Sequence, residues 1–307
     1  MELSHSVMGS EASIFPGTAL AERSRPARTP LWLWWNLLSA DAPTVAFLWA
    51  LLFARAARVS LPLLEAAVLA ATVWVIYVGD RLLDGKTGAR QSGASDRHAF
   101  YVRHRALAWG CLAAVSAAAL WVSVTRLEIA TRRAGLELAA AVALYFLLVH
   151  GARGGLSRLF PKELLVGGIF AAGTLLPAGT RGAEAARALL APALLFGAVC
   201  ALNCMAIECW EHHRGGRQWS ERPRWLLRWA DARIAALAGS LLAAAGFSAF
   251  FAPRDPGELE LLAACALSLI FLLALDRASH RLSPRSLRVL ADAALLTPAL
   301  FLLKGIF

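Results

Sequence analysis

Nine stretches of apolar residues punctuate this chain. Each runs to roughly 17–22 residues, the length a helix needs to cross the hydrocarbon core of a bilayer. Inside that core only helices and closed barrels satisfy the backbone amides and carbonyls. The stretches are continuous and rich in Leu and Ala, without the period-two alternation of barrel strands, so helices are the remaining solution. The pattern predicts an all-α, polytopic membrane helical bundle with about nine transmembrane helices. Their expected positions are 42–60, 62–80, 105–125, 135–151, 163–178, 186–208, 231–252, 258–275 and 287–303. Residues 1–30 lack an apolar run of signal-peptide length and read as a disordered N-terminal tail. Residues 31–307 then form a single membrane-embedded domain. Leu31–Trp35, with three tryptophans in five residues, reads as an interfacial helix ahead of the first span.

Composition supports this class. Hydrophobic residues make up 58% of the chain and charged residues 17%, where a soluble domain has about a quarter charged. The net charge of +10 does not point to a nucleic-acid partner, because no basic module interleaved with aromatics is present. Most of the basic residues instead fall in the N-terminal tail and in the loops after the second, fourth, sixth and eighth stretches. The positive-inside rule therefore predicts a cytoplasmic N-terminus and, with an odd number of spans, an external C-terminus. A bacterial cytoplasmic membrane is the expected setting. The five cysteines are odd in number, form no Cys-x-x-Cys pair and lie mostly in apolar stretches, which argues for small buried hydrophobes rather than a disulfide framework.

The two longest predicted cytoplasmic loops, 81–104 and 209–230, follow the second and sixth spans. In the first, Asp80 and Asp84 are four residues apart and share one face of a helix. Two carboxylates at that spacing suit a hard cation such as Mg²⁺, which takes oxygen ligands and often bridges to phosphates. Arg81, Lys86, Arg90 and Arg97 surround them with groups that bind phosphate oxygens. The same pattern also fits two solvated carboxylates with a helix stop at Gly85. At the end of the sixth span, Asn203, Glu208 and Glu211 fall within one broad polar face. The bland reading there is a solvated helix end, and a zinc site through Cys204, Cys209, His212 or His213 matches no usual spacing. Lys162 opens the fifth span, either as a positive-inside anchor or as a phosphate ligand. The segment from Arg97 to His104 reads as a short amphipathic lid or as plain polar surface. Asp292 lies inside the ninth span, a functional candidate or a partner for Arg288 four residues earlier.

This layout resembles the UbiA-type superfamily of intramembrane prenyltransferases. Asp80-x-x-x-Asp84 is similar to the two aspartates of that family's first motif, although its leading Asn is missing, since position 76 is Ile and position 79 is Gly. Asn203, Glu208 and Glu211 stand where the family has its second motif, with glutamates for aspartates. Lys162 is similar to a family diphosphate ligand. The resemblance implies a Mg²⁺-dependent transferase that moves a prenyl group from a polyprenyl diphosphate to a lipophilic, aromatic acceptor. It implies Asp80, Asp84, Glu208 and Glu211 as catalytic metal ligands. Asn203, Lys162, Arg81, Lys86, Arg97 and Tyr145 are implied on the substrate, and Trp74, Tyr77, Tyr145 and Phe170 as aromatic liners for a carbocation. The alternatives are a membrane transporter or lipid-binding protein, or a catalytically silent member of the same fold.

Overall fold

The computed structural model describes residues 31–87, 100–101, 103–147, 162–214, 225–251 and 255–304. Every regular element among them is helical. In chain order these are α1 (Leu31–Leu37), α2 (Asp41–Ala56), α3 (Leu63–Thr87), α4 (Arg105–Arg126), α5 (Ile129–Phe146), α6 (Lys162–Gly179) and α7 (Ala183–Ala188). After them come α8 (Leu190–Arg214), α9 (Trp225–Asp231), α10 (Ile234–Phe251), α11 (Pro256–Ala278), α12 (Pro284–Ala293) and α13 (Pro298–Leu303). A 3₁₀ turn at Ser279–Arg281 joins α11 to α12.

Among the described residues, six segments are long and apolar enough to cross a membrane: Leu63–Leu83, Arg105–Arg126, Leu190–His213, Ile234–Phe251, Pro256–Arg281 and Pro284–Leu303. The fold is a helical bundle of multi-pass membrane character. A helix also occupies each of the three other predicted positions. One is the 16-residue α2, and the others are α5 and α6, each 18 residues long.

Local chemistry sets the boundaries. Asp255 caps α11 by accepting from the Gly257 amide at 2.9 Å, with Pro256 in the first turn. Ser283 does the same for α12 through the Ser286 amide. Gly85 does not stop α3, which continues to Thr87. The ninth stretch is not one helix. Pro298 carries no amide hydrogen, and its ring crowds the carbonyl four residues back, so α12 ends at Ala293 and α13 begins at Pro298. The break is buried, and its polar groups find partners. The Trp49 indole donates to the Leu295 carbonyl at 2.8 Å. Thr297 Oγ1 donates to the Ala264 carbonyl at 2.9 Å, which leaves Ser268 to donate to Thr297.

The core centres on α8, packed against α6, α10, α11 and α12. α6 and α8 approach closely because Gly167 and Gly197 face each other; a Cβ on Gly167 would collide with the Gly197 carbonyl oxygen. Trp49 of α2 stacks on Phe196 of α8 with ring centroids 3.8 Å apart. Ion pairs mark the two rims of the bundle. Lys162–Glu208 and Arg288–Glu211 join the start of α6, the end of α8 and α12 at one rim. Glu65–Arg181, Arg58–Asp255 and Arg55–Glu260 join the opposite helix ends at the other.

Candidate functional site at the first rim

The rim where α3 and α8 end collects most of the polar residues singled out above. α3 is unbroken through residues 80–87, so the four-residue spacing of Asp80 and Asp84 holds on one helix face. Asp80 is partly buried and engaged. The side chains of Asp84 and Lys86 lie outside the described residues, as does Arg97. Arg81 turns toward the α1–α2 corner. Its guanidinium lies 5.6 Å from the centre of the Tyr77 ring and donates to Ser39 Oγ. Ser39 Oγ also meets the Tyr101 hydroxyl at 2.9 Å. Ser39 has a φ of 58°, a left-handed conformation that costs a non-glycine residue energy. The contacts with Arg81 and Tyr101 anchor it.

This corner holds residues that the sequence reading missed. Asn36 and Asp41 are both buried. The Asn36 amide donates to Asp41 at 2.7 Å and to Asp292 of α12 at 3.3 Å. Asp41 and Asp292 are both within electrostatic reach of Tyr77. The available signal was three polar residues, Asn36, Ser39 and Asp41, placed between two apolar runs. The described part of the expected lid does not stand free. Tyr101 is buried, and Phe100 packs edge-on to Trp34 of α1 at 6.1 Å.

The second cluster is held by basic residues from neighbouring helices. Glu208 pairs with Lys162 at 3.3 Å, and Glu211 pairs with Arg288. Cys204 stands within electrostatic reach of Lys162, Glu163, Glu208 and Asp292, which ties α6, α8 and α12 into one polar region. Asn203 is buried, and its carbonyl Oδ1 finds no hydrogen-bond partner among the described residues. Tyr145, near the end of α5, packs edge-on to Phe146 at 5.6 Å. α5 runs antiparallel to α6, since Thr131 meets Thr180 and Leu138 faces Gly173. Tyr145 is therefore level with the first turns of α6. Of the expected aromatic liners, Phe170 packs toward Phe196 at 6.1 Å, and the Trp74 indole donates to the Leu38 carbonyl at 3.0 Å.

Among the described residues, no three His, Cys, Asp or Glu side chains converge as a metal site would require. His213 and Cys209 are directed to α9, at Asp231 and the Leu227 carbonyl. For Glu208 or Glu211 to take a divalent ion, Lys162 or Arg288 must first let go. The second cluster as arranged is a pair of salt bridges. Asp80 and Asp84 remain the oxygen donor set whose spacing suits a hard cation. No protein-family model matches the chain, and no curated protein or solved structure matches it.

Proposed function

We propose that the chain is a membrane prenyltransferase that takes a prenyl diphosphate by its headgroup at this rim and passes the prenyl group to a lipophilic aromatic acceptor. The observation that supports the reading is the meeting of Lys162, Arg288, Asp80 and Arg81 from three separate helices at one end of an apolar bundle. An anionic headgroup with a long apolar tail fits that division between rim and bilayer. Lys162 is the residue best placed to bind the diphosphate, because its salt bridge with Glu208 is partly exposed and therefore weak. Mg²⁺ held by Asp80 and Asp84 would supply charge neutralisation for the leaving group. In the transfer, the carbon–oxygen bond to the diphosphate breaks with its electron pair leaving on oxygen. The acceptor carbon then bonds to the prenyl carbon and loses a proton.

The proposed topology is nine spans, with α2, α5 and α6 added to the six long segments and α12–α13 counted as the ninth. The charge bias along the loops supports a cytoplasmic N-terminus and an external C-terminus. Reporter fusions at Ser92 and Gly215 should both report cytoplasm, and one at Glu128 the opposite side. The functional test uses the purified protein in nanodiscs with farnesyl diphosphate. Binding that strengthens with Mg²⁺ and weakens in Lys162→Ala supports the reading, and transfer to a lipophilic phenol establishes the activity. No binding with or without Mg²⁺ overturns it.

A transporter or lipid-binding protein is the second reading, favoured by one observation: the buried break between α12 and α13, of the kind that forms substrate sites in transporters. Protein-dependent flux of a lipid across vesicles, without product formation, would select it.

A further inference from the structure

We propose that α5 is a dimer interface between two copies of this chain, in which Arg133 of each copy pairs with Glu137 of the partner subunit. The proposal requires α5 to lie in the bilayer, as in the nine-span topology, and does not depend on the transferase reading.

Among the described residues, α5 packs against α6 along the face that carries Thr131 and Leu138. Thr131 bonds to Thr180 at 2.9 Å, and Leu138 rests against Gly173 of α6. At 100° per residue these two positions point the same way, and Ile129, Arg133, Glu137, Ala140 and Leu144 point the opposite way. All five are exposed. Neither Arg133 nor Glu137 has a hydrogen bond or ion pair among the described residues. Glu137 stands six residues inward of the Thr131–Thr180 bridge, about 9 Å deeper along the helix. A carboxylate facing hydrocarbon there is costly and calls for a partner. Its side chain is too short to reach the rim.

The chemistry of the face selects the partner. A basic and an acidic residue one turn apart on a single exposed stripe are their own complement under a two-fold axis along the membrane normal. All copies insert with the same orientation, so two α5 helices meet in parallel. Arg133 then needs to cover only a four-residue offset, about 6 Å, to meet Glu137 of the partner subunit, and two such pairs form by symmetry. Ala140 lets the helices approach closely, as small residues do in membrane helix pairs. The exposed Leu136 and Leu144, at 70% and 55%, supply the flanking apolar contact.

The test is disulfide trapping in native membranes, with Cys111→Ser as the background because Cys111 is exposed. Under the two-fold arrangement Ala140→Cys meets its own copy and should give an oxidation-dependent dimer. Glu137→Arg and Arg133→Glu alone should each lose the dimer, and the double reversal should regain it. If either single reversal fails to insert, Glu137→Gln should still lower the dimer yield. No dimer from Ala140→Cys, a yield indifferent to the reversals, or an adduct with a different protein overturns the proposal. Glu137→Cys tests the depth separately. Rapid labelling by a membrane-impermeant maleimide would place α5 outside the bilayer and overturn both the topology and the interface. A shielded cysteine with no dimer would overturn the interface alone.

Discussion

The amide of Asn36 reaches the Asp292 carboxylate at 3.3 Å although 256 positions separate the two in sequence, and the same nitrogen donates to Asp41 at 2.7 Å. One neutral side chain thus supplies hydrogen bonds to two carboxylates from different helices. Asn36→Leu keeps the size and removes both donors. It should destabilise the protein by about 1–3 kcal/mol, the usual cost of depriving buried polar groups of a partner. Asn36→Asp should be worse, because it places a third carboxylate beside the other two. Thermal melts of the detergent-solubilised protein give the comparison, and a melting temperature unchanged in Asn36→Leu would show that this contact contributes nothing.

Trp49 holds the broken helix in two separable ways. Its ring stacks on Phe196, and its indole nitrogen donates to the Leu295 carbonyl at 2.8 Å. Trp49→Phe keeps an aromatic ring and removes the donor, which should cost about 1–3 kcal/mol. Trp49→Ala removes both and should cost about 3–5 kcal/mol. Equal losses for the two variants would assign the whole effect to the hydrogen bond.

The apolar blocks made the helix positions legible because bilayer thickness sets a length that composition reveals directly. Boundaries were less legible. Expected at 135–151, α5 begins at Ile129, since Arg132 and Arg133 are tolerated at a rim and do not end a helix. Thr297-Pro298 carried the signal for the break in the ninth stretch, but the apolar run hid it. The candidate site was legible where charges flank long stretches, as at Lys162 and Glu208. It was not legible at Asn36 and Asp41, whose role depends on Asp292 arriving from the far end of the chain. Spacing along one helix places Glu211 beside Glu208, yet cannot say that Arg288 of α12 meets it.

The α6–α8 seam gives a sharp contrast between neighbouring glycines. A Cβ at Gly167 collides with backbone of α8, whereas one at Gly168 meets nothing within 4 Å. Gly167→Ala should therefore cost about 1–3 kcal/mol through overpacking. Gly168→Ala should be neutral or slightly stabilising, because alanine is the better helix former. Denaturation of both variants in mixed micelles measures the difference, and equal stabilities would mean that the seam opens without penalty.

The salt bridge between Lys162 and Glu208 makes a prediction that separates two roles for the glutamate. If Glu208 only occupies Lys162 in the free protein, it competes with an incoming diphosphate for the same ammonium. Glu208→Gln keeps the length of the side chain and removes the charge, so Lys162 is released. Without Mg²⁺, the variant should bind farnesyl diphosphate more tightly than the parent protein. The gain should be about threefold to fivefold, since a partly exposed pair contributes up to about 1 kcal/mol. If Glu208 also ligates a metal once substrate has drawn Lys162 away, Mg²⁺ should raise the affinity of the parent protein well beyond that of Glu208→Gln, whose smaller gain comes from Asp80 and Asp84 alone. The expected pattern is therefore a crossing: the variant binds better in chelator, the parent better in Mg²⁺. Parallel gains with Mg²⁺ in both proteins would restrict the ion to Asp80 and Asp84 and leave Glu208 as a counter-ion. Identical affinities under both conditions would remove Lys162 from the diphosphate site, and with it the main support for reading this rim as the place where substrate binds.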